Sequence, residues 1–188
     1  DLATWGKGIA NGFSFCALTG KRELMELGGI RDSGKKKLFL VSTTHGGETH
    51  AIAAALETSR CFVSENVQEH NIRLGEKFIK KAQALIHTRG LERLIDIIPC
   101  PWLPGFQFRN SAGETCQGLR TLMMQEMIGR GVLFQGSFCP CFSHSASDID
   151  SFMSAFDASL SIYEKALDTG FQQFLKGKPA KPVFRKYV

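Results

Sequence analysis

The sequence predicts an α/β protein in two parts: the end of a large α/β domain, then a small α+β C-terminal domain. Two observations carry this. Short apolar strand-like runs alternate with helical stretches as far as about residue 66. Beyond it come a long amphipathic helix, two strand runs crowded by prolines, and two more helices. We place the boundary between residues 1–66 and 67–188.

The elements follow in order. Residues from Asp1 form an apolar strand-like stretch that ends in the glycine turn Gly6-Lys7-Gly8-Ile9-Ala10-Asn11-Gly12. Phe13–Leu18 reads as a buried strand closed by Thr19-Gly20. Arg22–Leu27 reads as a short helix stopped by Gly28-Gly29. Ser33–Lys37 is a polar loop, and Leu38–Val41 a second buried strand. A helix runs from about Thr49 to Phe62, where Ala51, Ala54 and Ala55 allow close packing. Val67–His87 carries Ile72, Leu74, Phe78, Ile79, Ala82, Leu85 and Ile86 along one side, an amphipathic helix. Ile95–Cys100 and Gly105–Phe108 are strands, with Pro99, Pro101 and Pro104 confining that segment to an edge or bend. Leu119–Arg130 is a helix stopped by Gly131, and Val132–Phe134 a short strand. Asp148–Leu167 has a 3.6-residue apolar period, with Ser147 and Asp150 as its capping box. The tail after Gly170 is irregular.

Composition narrows the function. With 43% hydrophobic and 22% charged residues, the 188-residue chain is an ordinary soluble globular sequence. No apolar run reaches the ~20 residues of a membrane span. The net charge of +5 resides largely in Lys35-Lys36-Lys37 and a basic tail, without the interleaved aromatics of single-strand binders. We therefore expect neither nucleic-acid nor membrane partners. Six cysteines in mostly apolar contexts, with no Cys-x-x-Cys, suit reduced thiols and a cytoplasmic location. His45, Glu48, His50, Cys139, Cys141 and His144 match no common structural zinc spacing, so no metal is expected.

Lys7 is the candidate nucleophile. A lysine set where an apolar strand meets a glycine turn is held near buried surroundings. Desolvation there favours the free amine, which attacks carbonyls. Arg109, Arg120 and Arg185 could each clamp a carboxylate, and nothing in the sequence selects one.

Three ordered segments resemble one family. Asp1–Gly20 around Lys7 resembles the cofactor-lysine segment of class III aminotransferases, pyridoxal-phosphate (PLP) enzymes of fold type I that include glutamate-1-semialdehyde aminomutase. Ser42–Leu56 looks like the family's Thr-x-x-Gly-Asn-Pro-x-Ala stretch before an alanine-rich helix. Met127–Ser137, with Ser143-His144 and Asp148-Ile149-Asp150, looks like its small domain. The resemblance covers essentially the whole chain. It implies the C-terminal portion of such an enzyme, the upstream cofactor-binding half being absent, and no amino transfer by the 188 residues alone. It also implies a PLP Schiff base on Lys7, small-molecule amino donors and acceptors, and an aminotransferase or aminomutase activity. Segment Leu133–Ser137 looks closer to the aminomutase branch. Thr44 is implied to bind the phosphate of a neighbouring subunit's cofactor, hence a homodimer with shared sites. Glu48-Thr49 stands where the family has Asn-Pro, which leaves Thr43 beside Thr44 for that role. The rival expectation is a folded binding module without a working cofactor site.

Overall fold

A computed structural model describes residues 1–29, 36–38 and 44–181. They form two compact units, Asp1–Val67 and Gln68–Val188.

In the first unit, β1 (Leu2–Trp5) pairs antiparallel with β2 (Ala17–Gly20), Leu2 opposite Gly20 and Trp5 opposite Ala17. Trp5 Nε1 donates across the pair to Thr19 Oγ1 at 2.8 Å. The expected strand at Phe13–Leu18 is thus shifted. Its first residues are used by the turn, where Phe13 N–H donates to Ala10 O, and pairing begins only at Ala17. The strands are also exposed rather than buried, because this hairpin has no third strand among the described residues. Helix α1 is short (Arg22–Met25) and runs into the turn at Gly28 and Gly29. Leu38 is exposed and outside any regular element. The rest of the strand expected at 38–41 lies outside the described residues, as do Thr43 and most of the 33–37 loop. Helix α2 (Thr49–Ser64) is rich in alanine, the residue that loses least entropy in a helix. Ala51 and Ala55 are buried, and the helix packs on the short 3-10 turn Lys7–Ala10, whose Ala10 is also buried.

The second unit holds the large core. Helix α3 (Val67–Thr88) buries Leu74, Phe78, Ile79, Ala82 and Ile86, spaced as one helical face. Gly90, at φ +66°, closes it: Leu91 N–H returns to Ile86 O and Gly90 N–H to His87 O. Strands β3 (Ile95–Ile98) and β4 (Gly105–Phe108) form an antiparallel pair, Ile95 opposite Phe108 and Ile97 opposite Phe106. Alternation turns Ile95, Ile97, Phe106 and Phe108 to the core. β3 stops at Ile98 because Pro99 has no N–H to donate.

Helix α4 (Gln117–Gly129) ends at Gly131, φ +82°, in the same manner as α3, Val132 N–H donating to Met127 O. That bond explains why the strand expected at Val132–Phe134 does not form: Val132 closes the helix instead. Only Ser137 bridges to the sheet, opposite Gly105. Helix α5 (Ala146–Thr169) starts two residues earlier than its apolar pattern suggests. Its capping box is Ser145 with Asp148, not Ser147 with Asp150; Ser145 N–H donates to Asp148 Oδ2 at 2.7 Å, and Asp148 N–H to Ser145 Oγ at 3.3 Å.

The tail is more ordered than expected. A 3-10 turn at Phe171–Phe174 sets the Phe171 ring against Gly118. Gln125 Nε2 donates to Phe174 O, Lys176 N–H to Gln125 Oε1, and Ala180 N–H to Thr121 Oγ1. These bonds fasten residues 171–180 along α4.

Gly75 marks the tightest approach of two segments in this unit. A Cβ there would lie 1.7 Å from the backbone oxygen of Pro101, which no side-chain rotation can move. Gly75→Ala is expected to cost about 3 kcal/mol, the upper part of the usual overpacking range, read as a lowered urea midpoint.

Candidate functional site

The turn from Gly6 to Gly12 is built on unusual backbone. Gly6 is fully extended at φ −168°, ψ −162°. Lys7 follows at φ +54°, Asn11 stands at φ +37° and Gly12 at φ +110°. Asparagine and glycine occupy the left-handed region readily; a lysine there carries strain of about 1–2 kcal/mol. Ile9 N–H to Gly6 O and Asn11 N–H to Gly8 O hold the turn. Ala10 fixes its far end by burial beside α2. The chain thus spends packing and hydrogen bonds to keep one lysine in a disfavoured conformation.

Lys7 itself is exposed. The buried surroundings expected from the strand-to-glycine pattern are not supplied by this unit. Strand β1, from which the turn springs, is exposed along its whole length, so nothing in the unit encloses the amine. The space beside it is open as well: a Cβ on Gly8 would meet no atom within 4 Å. A flat ring could therefore approach the backbone on that side.

Thr44 is exposed in the turn 44–47 that leads into α2. Both candidate residues therefore belong to segments joined to one helix, Lys7 by packing and Thr44 by chain continuity. The N-terminal end of α2 offers unpaired N–H groups and the positive end of the helix dipole, a setting that favours anions. Glu48 at the cap position opposes this. Its carboxylate is bracketed by two imidazoles, His45 Nδ1 at 2.8 Å and His50 Nε2 at 3.3 Å. The His50 ring also meets Phe13 edge-on at 5.7 Å. Five residues apart, His45 and His50 would not share a helix face. The turn before α2 brings them together on Glu48.

In the second unit, Arg109 Nη2 donates to Gln107 Oε1 at 3.1 Å, and Arg120 donates to Gln135 O. Arg185 lies outside the described residues. An open cavity of about 530 Å³ is lined by Phe134, Phe138 and Phe152, with Ser137, His144 and Asp148 among its polar residues. No group of three or more His, Cys, Asp or Glu side chains is placed to hold a metal among the described residues. No described helix is long and apolar enough to cross a membrane. All six cysteines are unpaired.

No family model matches the chain. A 3-aminobutyryl-CoA aminotransferase of Cloacimonas acidaminovorans (strain Evry) is 27% identical over 169 residues, which cover 89% of this chain and 39% of that protein. A solved transaminase with PLP bound aligns at a TM-score of 0.74 and 18% identity, covering 90% of this chain and 39% of its own. An omega-transaminase from Sphaerobacter thermophilus aligns at 0.75 and 16% identity, covering 87% and 39%. An S-selective transaminase from Arthrobacter sp. aligns at 0.73 and 19% identity, covering 92% and 40%. The chain spans about two fifths of the length of the relatives it matches. Its fold is that of the C-terminal part of fold-type-I transaminases.

Proposed function

We propose that the chain is part of a PLP-dependent aminotransferase in which Lys7 is the cofactor lysine. The observation that carries this is the left-handed backbone of Lys7 between two glycines, on a turn anchored to α2, in a transaminase fold. Strain held at one nucleophilic residue is what a positioned amine requires. The residues fit the cofactor: an accessible amine, open space over Gly8, and an exposed threonine ahead of a helix N-terminus.

PLP, when bound, supplies an electron-withdrawing ring that stabilises negative charge on a substrate carbon. Lys7 Nζ holds the cofactor and, when released, moves the proton at the substrate α-carbon. Thr44 Oγ1 and the N–H groups that open α2 bind phosphate. In a homodimer with shared sites, that phosphate belongs to the partner's cofactor. Residues 1–66 then form the tail of the cofactor-binding domain, and 67–188 the linking helix and small domain. The exposed Leu2, Trp5, Phe13, Leu18, Leu56 and Phe62 support the first assignment. Such an apolar surface on a unit whose buried residues, among those described, are mostly alanine is normally covered by further structure. Transfer is preferred to the aminomutase isomerisation because the relatives bear aminotransferase names.

The exposure of Lys7 favours a second reading, a folded module that keeps this architecture without a working cofactor site. Borohydride reduction of the full-length holoenzyme, followed by peptide mapping, separates the two. The label is expected on Lys7; labelling spread over Lys21, Lys36 and Lys37 would support the module. For the phosphate, Thr44→Val keeps shape but removes the hydroxyl. It is expected to weaken cofactor retention by about 1.5–3 kcal/mol, one hydrogen bond to a charged group. Equilibrium dialysis showing unchanged affinity would reduce Thr44 to a loop residue.

A further inference from the structure

Very little of the first unit is buried. Among its described residues the buried ones are Ala10, Ala51, Ala55 and Val67. Val67 opens α3, so the packing inside the unit comes down to three alanines. Ala10, only 1% exposed, closes the turn that carries Lys7. Ala51 and Ala55 stand one turn apart on one face of α2. Among the described elements, that turn is the principal one that α2 packs on.

A seat made of alanine is stiff. Alanine has no side-chain torsion, so it cannot turn aside, and its single methyl sets the distance between two backbones by van der Waals contact. A seat of longer side chains could repack around an added methylene. An alanine seat can only move the backbone.

The backbone it holds is strained. Lys7 stands at φ +54°, three residues before Ala10, and a lysine freed of its surroundings leaves the left-handed region. Inside the turn the hydrogen bonds are long, Ile9 N–H to Gly6 O at 3.4 Å and Asn11 N–H to Gly8 O at 3.2 Å, too weak to enforce that conformation unaided. A second touch follows the turn, where the Phe13 ring meets His50 edge-on at 5.7 Å. Both touches fall on the first two turns of α2.

We propose that Ala10 is a positioning residue: its methyl, seated against Ala51 and Ala55, sets the height of the Lys7 turn over α2 and thereby where the amine reaches. The proposal rests on the reading of Lys7 as the cofactor lysine. Ala10 touches no reacting atom and acts through the backbone of residues 7–10.

Ala10→Val enlarges the seat from the turn, and Ala55→Val from the helix. Both variants are measured in the full-length protein. Amide hydrogen exchange reads the seat itself: Ile9 and Asn11 N–H should lose on the order of tenfold in protection in either variant. Leu91 and Val132 N–H, bonded within the second unit, should keep native protection and so report that the chain is folded. Borohydride reduction with PLP, followed by peptide mapping, reads the amine, and the yield fixed on Lys7 should fall by a similar factor. Pyridoxine 5′-phosphate carries the phosphate without the aldehyde, and its affinity should stay near the native value. That split belongs to a misplaced amine, whereas a damaged site loses both ligands together. Native labelling at a lysine other than Lys7 would remove the cofactor reading, and the proposal with it. Labelling at Lys7 that neither valine variant lowers would overturn the proposal alone. So would unchanged protection of Ile9 and Asn11, or an affinity for pyridoxine 5′-phosphate that falls in step with the labelling.

Discussion

Replacing Lys7 with alanine is expected to abolish amino transfer by the holoenzyme and leave the fold unchanged. The side chain is exposed, so its removal deletes little packing. On the proposed role of Lys7, the chemistry would lose both the amine that holds the cofactor and the base that moves the substrate proton, and residues acting in both capacities cost several orders of magnitude when removed. Backbone strain offers an internal check. Alanine at φ +54° suffers as lysine does, whereas Lys7→Gly relieves it and should raise stability by about 1 kcal/mol while remaining inactive. Lys7→Arg keeps the charge but not the nucleophile and should be as inactive as alanine. Single-turnover amino transfer from a donor amino acid measures the first effect, and a urea titration the second. Transfer at the native rate in Lys7→Ala would remove Lys7 from the mechanism.

Phe106→Ala is expected to be the most damaging core substitution, at about 3–5 kcal/mol. Phe106 on β4 is 5% exposed and touches five other rings: Phe78, Phe108, Phe134, Phe152 and Phe156. Those rings come from α3, β4, the segment after α4, and α5, so truncation opens a cavity where four parts of the chain meet. The contacts with Phe78 and Phe134 are edge-on, at 6.0 and 5.4 Å, a geometry that contributes beyond buried area. Phe106→Leu restores much of the volume without the ring edges and should recover over half of the loss. A urea midpoint for Phe106→Ala within 1 kcal/mol of the native chain would show that the surrounding rings close the gap.

What was legible in the sequence is what repeats along it. Helices α2, α3, α4 and α5 each carry a local period or an alanine run, and the glycine read as the stop of α4, Gly131, has the positive φ of such a stop. Strands β3 and β4 were readable as two short runs separated by prolines, which exclude ladder bonds, and their pairing came from the structure. The glycine-flanked lysine was visible for the same reason: an exceptional backbone needs glycine neighbours, and these are written in the sequence.

Tertiary structure decided what depends on a partner that no local repeat announces, whether near or far along the chain. A strand exists only if something pairs with it, so Phe13–Leu18 yielded its first residues to a turn and Val132 closed a helix. The α5 cap moved to Ser145 because the Asp148 carboxylate reaches that N–H and hydroxyl. Residues 171–180 gained order through acceptors and donors on α4 that no local pattern announces. The meeting of His45 and His50 on Glu48 likewise came from a turn that bends side chains out of helical register. Exposure followed the same rule. The strand-to-glycine pattern suggested buried surroundings for Lys7, but burial is set by whatever else packs around a residue, and within its own unit Lys7 is left open.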